Sequence, residues 1–386
     1  MRPLVVYVDG LGAPRTAPEA VVAAAGGSGD PEVLLGWTLE HHPWLASPAL
    51  TGRTTMAGYA LSRPVADGRL VPLSIRLSGI PGLLAHLQPD VCIATGVRRG
   101  GRLVFGTTVG WGSAAARTAR AVVVEVDEDG DDFGGPEIPG NIVATIPRPA
   151  GVEDGDVVAR TADEIDLRIG ANVVSLLPAE PTLQFGPGGI GEGIVRALDR
   201  PVGIWSGLVT DAMAELAGRG LLRGRITAGY VWGSGPVREL ARAGLLDLVP
   251  IEITHDLSRI SSIPGFVGCN TALQVGLDGA VNIERVGGRT ITSIGGHPDF
   301  CAGAVRAPGG LAVVALRSTT RKGESTIVPQ VETVSTPRCD VSAVVTEHGV
   351  ADLRGVGDDE RARRIVAVAA PEHRERLTAA LRKGAS

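Results

Sequence analysis

Short apolar runs alternate with amphipathic stretches along the whole chain. Leu4–Val8, Val91–Thr95 and Val122–Val126 read as strands. Pro31–Leu39, Ile80–Leu87 and Ser113–Arg120 read as helices, the last lying between two strands as in a βαβ unit. In the second half the spacing predicts helix Thr161–Asn172, strand Pro181–Phe185, helix Glu192–Leu198 and strand Val202–Trp205. Helices Asp211–Ala217 and Val237–Ala243 and strands Leu311–Leu316 and Val341–Thr346 follow. Helix Asp358–Ala369 stops at Pro371, and a last helix covers Glu372–Leu381. Such alternation is the signature of α/β folds with mostly parallel sheets.

At 386 residues the chain exceeds one ordinary hydrophobic core, so two domains are expected. Asp127–Gly155, dense in Asp, Gly and Pro, reads as the linker, giving domains 1–155 and 156–386. Aromatic residues are only 3% and glycines number 54, so Val, Leu, Ile and Ala must build the core around many tight turns. A net charge of -5 gives no footprint for nucleic acid. Arg361, Arg363, Arg364, Arg374, Arg376 and Arg382 alternate with acids, as on a solvated helix face. The four cysteines are far apart with no CxxC pair, which argues against a disulfide framework or zinc site and for a reducing, cytoplasmic setting. Leu4–Val8 is too short for a signal peptide, and no run approaches the ~20 apolar residues that span a bilayer.

Four loops carry candidate chemistry. Gly26-Gly27-Ser28-Gly29-Asp30-Pro31, ahead of the expected helix at Pro31, reads as an anion-tolerant nest or a tight turn. Gly186-Pro187-Gly188-Gly189-Ile190-Gly191-Glu192-Gly193 follows a strand and opens a helix. Pro187 and the lack of a clean downstream acid argue against a nicotinamide cofactor, but the turn frees backbone donors for a phosphate or a thioester oxyanion. Close helix–strand packing is the other reading. Gly295-Gly296-His297-Pro298-Asp299-Phe300 offers backbone approach and an imidazole suited either to acid–base work or to a structural hydrogen bond. Thr346-Glu347-His348-Gly349 closes a strand where doubly wound sheets bind ligands, or is a simple turn. No P-loop or GxSxG elbow is present, and no third ligand for a metal can be placed.

The order of Thr182-Leu183-Gln184-Phe185-Gly186-Pro187-Gly188, Gly203-Ile204-Trp205-Ser206, Asn270-Thr271-Ala272-Leu273, Asn282, Gly295 to Phe300, Ile327-Val328-Pro329 and Thr346 to Gly355 resembles the acetyl-CoA hydrolase/transferase family, a branch of the class I CoA-transferases. The first half is similar more weakly, through Gly26–Pro31, Ile80-Pro81 and Asp90–Glu125. The resemblance implies two related open α/β domains of the CoA-transferase type, with acyl-CoA between them. It further implies a second-domain glutamate that attacks the thioester and carries CoA covalently.

At that glutamate's place the chain reads Gly203-Ile204-Trp205-Ser206-Gly207, and Gly207 has no side chain to form an anhydride or thioester. Gly191 and His297 also depart from the family pattern. Three readings follow. One is an enzyme cleaving a CoA thioester, or a C–C bond of a CoA-linked acid, without a covalent intermediate and with Glu192, His297 or Glu347 as base. The second is an ordinary transferase with a displaced glutamate, using acyl-CoA and a small carboxylic acid. The third is a silent CoA-binding or partner subunit. Coenzyme A is the expected ligand, contacted by Gly186, Gly188, Gly189, Gly295, Gly296 and Lys322, or with Lys322 merely solvating the surface. No metal or nicotinamide, nucleic acid or membrane is expected, and the family likeness implies a homodimer or homotetramer.

Overall fold

The computed structural model describes residues 2–150 and 161–384. Two compact units emerge. The first comprises Met1–Val158, Gly207–Asp211 and Arg225–His255; the second comprises Ala159–Ser206, Ala212–Gly224 and Asp256–Ser386. The expected domain boundary at 155/156 lies outside the described residues.

In the first unit a parallel sheet is ordered Leu70–Pro72, Gly52–Thr54, Glu32–Leu35, Leu4–Tyr7, Val91–Arg99, Ala121–Val126, Ile142–Pro147. Arg102–Phe105 folds back antiparallel on Val91–Arg99. Leu4–Tyr7 is buried along its whole length, as a central strand covered on both faces must be. Its neighbours continue a core of Val5, Tyr7, Val33, Leu35, Ile93 and Val123. Leu208–Thr210 and Tyr230–Trp232 form a separate two-stranded parallel sheet, and Ile226 to Ala228 pair parallel with Leu246 to Leu248.

Within the second unit the order is Val202–Trp205, Thr182–Phe185, Phe266–Asn270, Leu311–Ala315, Ala343–Thr346, Gly349–Asp352. All neighbours run parallel except the last hairpin. Helix Glu164–Val174 starts on a capping box: Asp163 accepts the N–H of Ile165 and Asp166, and Asp166 returns to the Asp163 N–H.

Three expectations are corrected. Pro31–Leu39 is not a helix but contains the strand Glu32–Leu35, registered on Leu4–Tyr7. A short, wholly apolar run such as Val33-Leu34-Leu35 carries no period that separates a buried strand from a helix. Gly26–Pro31 therefore feeds no helix; it closes helix Pro18–Ala24, with Gly26 at φ +77°, and leads into that strand. Asp127–Gly155 is not linker throughout, because Ile142–Pro147 joins the sheet beside Ala121–Val126.

Candidate active site

Open parallel sheets bind ligands beyond the carboxyl ends of their strands, where the winding direction reverses. In the second unit the chain passes from Thr182–Phe185 to Val202–Trp205 on one side. It then crosses to Phe266–Asn270 on the other and onward to Leu311–Ala315 and Ala343–Thr346. The reversal lies between Thr182–Phe185 and Phe266–Asn270. Across it the Gln184 Nε2 donates to Asn270 Oδ1 at 3.2 Å, and Asn270 Nδ2 donates back to Gln184 Oε1 at 3.0 Å.

The glycine turn after Phe185 divides into two kinds of glycine. A Cβ on Gly186 or Gly188 would meet nothing, so their backbone is open to an approaching group. Gly188, at φ +114°, caps helix Gly189–Ala197 without a side chain, and the first N–H groups of any helix lack partners within it. Gly189, Gly191 and Gly193 instead serve packing. A Cβ on Gly189 would lie 2.0 Å from Asp166 Oδ2, one on Gly191 2.5 Å from Gly186 O, and one on Gly193 2.3 Å from Asp166 O. Glu192, on the same helix, accepts the Ala162 N–H at 2.7 Å and Arg196 Nε at 3.0 Å.

His297 opens helix His297–Ala304 directly after Gly295, at φ +60°, and Gly296. The imidazole is buried, with Nδ1 2.8 Å from Thr336 Oγ1 and 3.5 Å from Cys301 Sγ. Burial pushes its pKa down to about 4, so the ring is neutral at physiological pH. Glu347, at the end of Ala343–Thr346, accepts the Ser318 N–H at 3.0 Å and the Ser318 hydroxyl at 2.7 Å, with His348 Nε2 3.7 Å away. Arg317 holds both Asp163 and Asp166 at 2.7 Å. The sheet thus sets the glycine turn, Asn270, Arg317, Ser318 and Glu347 at or just past its carboxyl edge. Lys322 is exposed in a turn closed by a Thr319–Ser325 bridge, its N–H donating to Thr320 Oγ1. Gly207 belongs to the first unit, where its carbonyl accepts the N–H groups of Gly229 and Tyr230 at 2.9 and 3.1 Å.

The first unit reverses between Leu4–Tyr7 and Val91–Arg99, and there the sequence reading missed a group. Asp9, at the end of the first strand, is buried, receives the Tyr230 hydroxyl on Oδ2 at 3.4 Å, and has no hydrogen-bond partner for Oδ1 among the described residues. Burial pushes its pKa up to about 7. The segment Asp9-Gly10-Leu11-Gly12 directly after an apolar strand was the available signal. The Leu11 carbonyl accepts from Thr107 and Thr108, and the Gly12 carbonyl from Arg148 Nη1 at 2.7 Å. Nearby, a cavity of about 970 Å³ is bounded by the loops 10–17 and 38–44. Its polar side includes Arg15, which grips Glu40 through two 2.9 Å bonds. The backbone N–H of Arg15, with the N–H and hydroxyl of Thr16, fills the fully buried Glu125 carboxylate. Among the described residues no three His, Cys, Asp or Glu side chains converge to hold a metal ion, and no helix is long and apolar enough to cross a membrane.

Residues 238–381 match the acetyl-CoA hydrolase/transferase C-terminal domain family. The chain is 28% identical over 304 residues to a 4-hydroxybutyrate coenzyme A transferase of Clostridium kluyveri, covering 71% of this chain and 67% of that protein. It is 25% identical over 386 residues to an acetyl-CoA hydrolase of Eremothecium gossypii, covering 83% and 73% respectively. The crystal structure of RipA from Yersinia pestis superposes with a TM-score of 0.85 at 25% identity, over 99% of this chain and 94% of that one.

Proposed function

Because this chain belongs to the acetyl-CoA hydrolase/transferase family of enzymes, we propose that it cleaves an acyl-CoA substrate without a covalent glutamyl thioester at residue 207. What supports this reading is Gly207, which the family likeness sets at the place of the covalent glutamate and which has no carboxylate. Water adds to a carbonyl carbon, the electron pair of the breaking C–S bond leaves on sulfur, and the proton taken from water returns to the thiolate. In a CoA-linked acid with a second carbonyl β to the thioester, water adds to that carbonyl instead, the C–C pair leaves on the α-carbon as the thioester enolate, and the proton taken from water returns to that carbon. Open backbone at Gly186 and Gly188 and the N-terminus of helix Gly189–Ala197 favour a phosphate or an oxyanion. Glu192 and Glu347 are the carboxylates from which the base is drawn. Cytoplasmic homodimers or homotetramers complete the proposal.

The test is a mass-resolved incubation of the chain with a panel of acyl-CoAs and acetate, repeated with Glu192→Gln and Glu347→Gln. Free CoA or a C–C cleavage product without new acetyl-CoA is expected, with a loss of about 10²–10⁴-fold when the base is removed. Exchange of CoA onto acetate, with an adduct on another glutamate, would replace this reading by ordinary transfer. A chain that turns over nothing would favour a binding subunit.

A further inference from the structure

The cavity of about 970 Å³ in the first unit has the size of a small-molecule site. Its place in the fold suits one. Residues 10–17 follow the strand Leu4–Tyr7, residues 38–44 follow Glu32–Leu35, and Pro149 and Ala150 follow Ile142–Pro147, so all its walls stand at the carboxyl edge of the sheet. Leu11, Ala13, Ala17, Leu39, Trp44 and Pro149 make most of its surface apolar. Trp44 is fixed in that wall. Its Nε1 donates to the Arg15 carbonyl at 3.1 Å, and its ring stacks on His42 at 5.5 Å and packs on Tyr7 at 5.1 Å. An apolar wall held ready in this way favours a ligand that sheds water there.

Arg15 and Glu40, the charged pair of the wall, neutralise each other. Arg15 is the one guanidinium among the described lining residues, and no lysine joins it. The two Glu40 oxygens hold it at 2.9 Å each, and Arg15 Nη1 donates to the Pro149 carbonyl at 3.2 Å. Glu40 also lies 3.6 Å from Arg148 Nη2 and from His42 Nδ1. His41 is exposed, where water screens it. An entering carboxylate would meet a cation already matched and a like charge beside it, and would lose its hydration without return. A hydrocarbon meets no such cost. The wall is also tied to position 207 inside the same unit. Asp9, next to Gly10, takes the Tyr230 hydroxyl at 3.4 Å, and the Tyr230 N–H donates to the Gly207 carbonyl at 3.1 Å.

We propose that this cavity takes the acyl group of the substrate, that the group is an uncharged hydrocarbon chain longer than butyryl, and that the Arg15–Glu40 pair turns away acyl groups ending in a carboxylate. This rests on the acyl-CoA reading above. Selection then has two sources. Each methylene buried against the apolar wall favours the longer chain. Glu40, by occupying Arg15, denies a second carboxylate its partner and repels it.

Consumption of acetyl-, butyryl-, hexanoyl- and succinyl-CoA by the full chain is compared as kcat/KM. The wild type should gain about fourfold per added methylene up to hexanoyl. It should handle succinyl-CoA at least about tenfold worse than butyryl-CoA, which has the same chain length. Ala13→Phe, which fills the cavity, should cut the hexanoyl-to-acetyl ratio by about tenfold or more. Glu40→Gln leaves Arg15 without its carboxylate and should raise the succinyl-to-butyryl ratio about tenfold. A flat series across chain length, or a hexanoyl preference that Ala13→Phe leaves intact, overturns the cavity's role while the acyl-CoA reading stands. A succinyl-to-butyryl ratio that ignores Glu40→Gln overturns the role of the ion pair. A wild type that consumes none of the thioesters removes the acyl-CoA reading, and calorimetry then judges the cavity by itself: hexanoyl-CoA bound no tighter than acetyl-CoA overturns it, and a gain with each methylene upholds it. Should either variant fail to fold, the wild-type series and the other variant decide.

Discussion

The two units carry the same winding plan and bury opposite chemistry in it. The first puts a carboxylic acid, Asp9, at its reversal, and the second buries a base, His297, at the start of the helix between Phe266–Asn270 and Leu311–Ala315. Both are buried, and burial penalises whichever form is charged. The acid is therefore pushed up to about 7 and the base down to about 4. Between those values both are neutral, so one physical cause leaves one group holding its proton and the other lacking the extra one. The neutral acid can donate a proton near neutral pH, whereas the neutral imidazole carries no charge there.

The comparison breaks most visibly in stability against pH. Asp9 binds its proton more tightly when folded, so its stabilising effect is complete below the unfolded value of 3.8 and is lost as pH rises to about 7. Asp9→Asn should therefore gain on wild type across that window, by about 4 kcal/mol in all, as read by urea unfolding at several pH values. An Asn variant whose advantage does not grow with pH would show that Asp9 ionises freely. His297 runs the other way. Its folded pKa is depressed, so its contribution is present above 6.5 and lost as pH falls to about 4. Wild type minus His297→Gln should shrink by about 3 kcal/mol over that range. The two slopes oppose one another in wild type, and only the single variants expose them.

The smallest effect concerns the glycine turn. Gly189→Ala drives a methyl to 2.0 Å from Asp166 and should cost about 1–3 kcal/mol in unfolding free energy. Gly186→Ala meets nothing and should stay within about 0.5 kcal/mol, altering only acyl-CoA binding by calorimetry. Equal losses from both would mean that the whole turn is a packing element.

Elements with a strong period were legible from the chain alone. Helix Ile80–Leu87 and strand Val202–Trp205 stand where their spacing put them. Glu32–Leu35 was not, because a buried central strand has no polar face to mark its period. Ile142–Pro147 hid in a stretch whose Asp, Gly and Pro content suggested only a loop. At the site, His297 and Glu347 were visible as chemistry beside glycine. Their environments were not: Thr336 lies 39 positions from His297, and Ser318 29 positions from Glu347. Asp9 escaped because Asp-Gly after a strand looks like an ordinary turn; its hydroxyl partner Tyr230 lies 221 positions away.

That last distance has a consequence on the ribosome. The first unit closes only when residues up to His255 have emerged, since Tyr230 and the strand pairs around it belong there. About a hundred residues separate the end of its first segment from that point, or roughly 5–20 s of synthesis at ordinary elongation rates. During that interval Asp9 lacks the Tyr230 hydroxyl, and the nascent sheet shows an unfinished apolar surface. A stop codon near residue 155 should yield an aggregating fragment, whereas one beyond His255 supplies every segment of the first unit.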